Sequence, residues 1–139
     1  MEKQARKLYT DTIGPGDISE ELAPVVRKLG LEKNCRELAE RGWTVAENVL
    51  SDEFNEAFRK KILEIAGSTG GAQMLLKKDP LFGRAVLAPK LMALAEFSVG
   101  RGFLLSQVAA SVRAKGSPSI GLHADHNWLP APFPAHNML

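Results

Sequence analysis

Four glycines punctuate the first hundred residues. Gly30, Gly42, Gly67 and Gly100 each follow a stretch in which apolar residues return every three or four positions. A residue that tolerates the left-handed conformation at the end of such a stretch stops a helix. The chain must therefore begin as short helices, not as one long amphipathic rod. In the first, EELAPVVRKLG, Ser19 is the cap, Leu22, Val25, Val26 and Leu29 recur at helical spacing, and Pro24 keeps the helix short or displaces its start. In the second, LEKNCRELAERG, Leu31, Cys35, Leu38 and Ala39 share one side. The third has the strongest signals: Ser51 at the cap, Asp52 and Glu53 where the helix dipole favours acid, and the stripe Phe54, Phe58, Ile62 and Ile65. Pro89 opens a fourth, PKLMALAEFSVG, apolar enough to be buried.

The connections read differently. WTVAENVL carries Trp43, Val45 and Val49 and few helix formers, which predicts a short strand running into a turn. GSTGGAQ reads as a flexible break and DPLF at 79–82 as a turn. Beyond Gly102, GFLLSQVAASVRAKG is rich in small and β-branched residues and reads as a long strand, with a second over 119–125. Pro130, Pro132 and Pro134 then mark an extended loop. Helices to about residue 100 followed by strands from 101 to 139 give the α+β class, in a single domain.

Eighteen basic residues are interleaved with sixteen acidic ones for a net charge of +2, so no basic stripe offers itself to nucleic acid. No run approaches the roughly 20 apolar residues of a membrane span, and MEKQARKLYTDTIG lacks the apolar centre of a secretory signal. With Cys35 as the sole cysteine, an intramolecular disulfide is excluded. These features predict a cytoplasmic protein without a nucleic-acid or membrane partner.

All three histidines, His123, His126 and His136, lie in the last seventeen residues. Side chains alternate along a strand, so on the expected second strand His123 and Asp125 point the same way. An imidazole and a carboxylate so placed can take adjacent positions on one metal ion; a third ligand would complete the facial set that leaves positions open for oxygen. On spacing alone, the simpler alternative is a hydrogen-bonded pair at a strand end. Gln107 and Arg113 share a face of the preceding strand and could reach a substrate or cosubstrate, although a solvated role suits them as well. His126 and Asn127 follow the pair directly, and Trp128 could wall a pocket or simply shape the loop. Lys60 and Lys61 belong to a solvated helix face, and Phe54 and Phe58 to the core.

Taken together, ERGWTVAENVLSDEF at 40–54, DPLF, the Pro-initiated apolar helix and the strand leading through KGSPSIGLHAD resemble the N-terminal part of the phytanoyl-CoA dioxygenase family, among the Fe(II)- and 2-oxoglutarate-dependent oxygenases. The resemblance runs from about Glu40 to the end. It implies that His123 and Asp125 bind Fe(II) and that helices pack outside the first strands of a double-stranded β-helix of jelly-roll or cupin type. It also implies hydroxylation of a small-molecule substrate coupled to decarboxylation of the cosubstrate 2-oxoglutarate. In halogenating relatives the carboxylate gives way to a small residue; Asp125 therefore points to hydroxylation.

The chain departs from that family in having no counterpart of its distal metal histidine, of the basic residue that anchors 2-oxoglutarate, or of the later strands. The expectation is an incomplete domain, inactive alone, whose open strands invite self-association. His136, eleven residues past Asp125, offers an alternative: a local zinc site with His123, Asp125 or His126, in a small zinc-binding or protein-interaction module without catalysis.

Overall fold

The computed structural model describes residues 18–68 and 70–123. The elements in chain order are α1 (Ala23–Leu29), α2 (Glu32–Arg41), α3 (Asp52–Ala66), β1 (Gly71–Ala72), a 3₁₀ turn (Leu75–Lys77), α4 (Pro80–Val86), α5 (Pro89–Val99) and β2 (Ala110–Ser111). The class is α+β, with five α-helices and one two-stranded antiparallel sheet among the described residues. No helix among them is long and apolar enough to cross a membrane. Two compact units divide the chain: one comprises the described residues up to Glu47 together with Pro89–Leu104, the other Asn48–Ala88 with Leu105–Leu122.

In the first unit, α1, α2 and α5 bury Leu22, Val26, Leu31, Cys35, Ala93, Leu94 and Phe97 as one cluster. Pro24 displaces the start of α1, which begins only at Ala23. The turn ahead of it is tied by Ser19, whose buried hydroxyl accepts from the Leu22 amide at 3.1 Å. The junction with α2 follows from Gly30 at φ 66°. Its amide donates to Arg27 O and the Leu31 amide to Val26 O, the paired bonds of a Schellman ending. That ending drops Leu31 into the cluster beside Val26. Gly42, at φ 77°, closes α2 in the same left-handed way.

The second unit rests on α3, whose Ser51 cap accepts from the Phe54 amide at 3.2 Å. Ala72, Leu75 and Phe82 are buried here, packed by Phe58, Ile62, Ile65, Ala66, Val108 and Ala110. Phe58 meets Phe82 edge to face, with ring centroids 5.3 Å apart. Gly70 is required at the strand entry: a Cβ there would lie 2.1 Å from the Ala66 carbonyl oxygen. β1 pairs with β2 in the register Gly71↔Ser111 and Ala72↔Ala110. Bonds from Val112 N to Gly70 O and from Leu75 N to Val108 O extend the pairing on either side.

Several local expectations need correction. DPLF is no isolated turn; it starts α4, with Asp79 capping the Leu81 amide at 2.8 Å and Pro80 in the first turn, where a missing amide hydrogen costs nothing. The GSTGGAQ break contains β1. WTVAENVL forms no strand among the described residues, although exposure alternates from Trp43 to Glu47; its carbonyls are held by side chains instead of a neighbouring strand. The long strand after Gly102 shrinks to Ala110–Ser111, because only the stretch opposite β1 finds a partner. Residues 119–123 are not in a strand.

Candidate functional site

The most informative surface is the stretch around β2. Val108, Ala110 and Val112 are partly covered, while Gln107, Ala109, Ser111 and Arg113 are exposed. This is strand alternation, and its cause is α3: Val108 and Ala110 pack on the cluster under that helix, so the other face stays open. Gln107 and Arg113 therefore do share a face, six residues apart, or about 20 Å along an extended chain. A single small ligand would touch one of them, not both.

His123 is exposed, as are Ser119, Ile120, Gly121 and Leu122, so no alternation separates two faces in this stretch. Asp125, His126, Asn127, Trp128 and His136 lie outside the described residues, and with them the strand geometry on which the His123 and Asp125 pairing depends. Among the described residues no three His, Cys, Asp or Glu side chains are grouped to hold a metal ion. The imidazole of His123 and the carboxylate of Asp125 suit Fe(II) and Zn(II) alike as donors, so a ligating role for His136 is what would mark a local zinc site off from an oxygenase half-site.

Other singled-out residues find plainer roles. Lys60 is exposed, as expected. Lys61 is not simply solvated: it lies 2.7 Å from Glu64 and 3.6 Å from Asp79, tying α3 to the cap of α4, and these partners raise its pKa, the hydrogen bond to Glu64 foremost. Phe54 and Phe58 are half-buried; Phe54 stacks on Phe58 and carries the Arg84 guanidinium 5.4 Å from its ring centre. Cys35 is buried, and burial, then the nearby Glu32, push its thiol pKa up, which suits packing and not nucleophilic chemistry.

A polar network beside Trp43 escaped the sequence reading. Asn34 donates to Thr44 Oγ1 and to the Val45 carbonyl, both at 2.9 Å, and Thr44 donates to Glu37 at 2.7 Å. Arg41 pairs with the other oxygen of Glu37 and lies 4.8 Å over the Trp43 ring. The Thr44 hydrogen bond, with Arg41 and Lys33 behind it, holds the Glu37 carboxyl below its usual range. Asn34 and Glu37, three residues apart on the polar side of α2, were the available signal.

Comparison with protein-family models, with curated protein sequences and with solved structures finds no match to this chain.

Proposed function

We propose that the chain is the N-terminal portion of an Fe(II)- and 2-oxoglutarate-dependent hydroxylase resembling the phytanoyl-CoA dioxygenase group, with His123 and Asp125 as two of its iron ligands. The supporting observation is the asymmetry of the β2 region: a helix covers one face, while the face bearing Gln107, Ser111 and Arg113 is left open. Helices outside and a polar inner face are what a double-stranded β-helix needs where its sheets turn toward a pocket, and this finer fold belongs to the proposal. Bound Fe(II) with 2-oxoglutarate would supply oxygen activation. The chain's own contribution would be to hold the ion through one imidazole and one carboxylate while leaving its other positions open. The third ligand and the carboxylate anchor would have no counterpart among these 139 residues, so the chain alone would bind iron weakly and turn over little.

Anaerobic titration with ferrous ion, repeated with zinc, tests this. Asp125→Ala is expected to weaken Fe(II) binding at least about tenfold, and His136→Ala to leave it unchanged. Loss of zinc binding in His136→Ala with no effect of Asp125→Ala would replace the oxygenase reading with a local zinc site.

A further inference from the structure

The stretch from Trp43 to Glu47 has the exposure pattern of a strand without a strand beside it. Trp43 and Val45 are 57% and 66% exposed, and between them Thr44 and Ala46 turn inward, Ala46 onto the buried cluster. The stretch is also pinned. The Val45 carbonyl accepts from Asn34 at 2.9 Å and the Glu47 carbonyl from Lys90 at 2.8 Å. In an extended chain, alternate residues direct their backbone groups to the same edge. The edge bearing the Val45 and Glu47 carbonyls is thus capped by side chains, and the amides and carbonyls of Thr44 and Ala46 form the opposite edge. Among the described residues nothing hydrogen-bonds to them. A rigid, uncharged backbone edge flanked by exposed apolar side chains is the feature that recruits another strand.

We propose that this edge pairs antiparallel with the same edge of a second copy of the chain, about a two-fold axis through Val45. In that register Thr44 of each copy faces Ala46 of the other, exchanging four backbone hydrogen bonds, and Val45 faces its own symmetry mate. The charges fit this register. Trp43 falls opposite Glu47 of the second copy, whose exposed carboxylate makes no ion pair among the described residues, and the Arg41 guanidinium already lies on that Trp43 ring. Each copy thereby brings an acid to the other's cation at both ends of the pairing. The interface is independent of the metal ligands proposed above.

Sedimentation velocity of the full chain over a concentration series is expected to show a monomer–dimer equilibrium. Val45→Lys, at an exposed position, places two like charges face to face and should raise the dimer dissociation constant about tenfold with an unchanged circular dichroism spectrum. Val45→Cys should give a disulfide-linked dimer under mild oxidation, since directly opposed residues at a non-hydrogen-bonded site have Cα atoms roughly 4.5 Å apart, within bridging range. Glu53→Cys, exposed on α3, should not. A monomer at every concentration, or a dimer that persists equally in Val45→Lys and fails to cross-link through Val45→Cys, overturns the proposal.

Discussion

The two units of the molecule reach a core by different routes. In the first, seven side chains in and just before three helices are buried together, and each helix is ended by a glycine, so local signals and core agree. In the second, the cluster joins just Ala72, Leu75 and Phe82, its cover comes from half-buried positions on α3 and on the β2 stretch, and Leu81, Ala85 and Ala88 are buried outside it. A core of the first kind spreads its stability over many contacts. One of the second kind concentrates it on a single ring, Phe82, which is 0% exposed.

The sharpest way to break that contrast is Phe82→Ala, expected to cost about 3–5 kcal/mol, a large share of the roughly 5–15 kcal/mol that a domain commands. Hydrogen exchange should then show amides of α3 and β1 losing protection while those of α1 and α2 keep theirs. Uniform loss would mean that the two cores melt as one. Next in size are two serine hydroxyls, Ser19 in the turn ahead of α1 and Ser51 at the cap of α3. Ser19→Ala should cost about 1–2 kcal/mol because it strips a buried partner from the Leu22 amide, and Ser51→Ala about 0.5–1 kcal/mol because its cap is open to water. Equal costs in denaturant titrations would remove the distinction between a buried and an exposed hydroxyl.

The smallest effect concerns Glu37. Its folded pKa is lowered, chiefly by the Thr44 hydroxyl. The stability it contributes is therefore fully present above its unfolded pKa of about 4.3 and is lost as pH falls through the lower, folded value. Thr44→Val should flatten this acid limb in a pH series of unfolding curves; an unchanged limb would show that the network does not hold the carboxylate.

The same contrast explains what could be read beforehand. Helices with caps and stops within a few residues, such as α1 with Gly30 and α3 with Ser51, were legible because the deciding contacts are local. Pro80 was legible as punctuation but not as a helix start, since turn and first-turn proline share one composition. The strands were the least legible, because pairing depends on a distant partner: Ala110–Ser111 finds Gly71–Ala72 in a glycine-rich stretch without strand propensity, and 119–123, for all its alternation in sequence, is in no strand. Of the candidate site, the shared face of Gln107 and Arg113 followed from parity, and the exposed His123 from nothing more than its polar type. The remaining site residues, Asp125, His126, Asn127 and Trp128, fall outside the described residues.

Cobalt(II) substituted anaerobically into the full chain tests the central claim most directly, because its visible bands report coordination geometry and donor type together. An oxygenase half-site predicts the weak absorption of a six-coordinate nitrogen and oxygen environment, with binding lost in both His123→Ala and Asp125→Ala. Intense tetrahedral bands that survive Asp125→Ala and vanish in His136→Ala would contradict it.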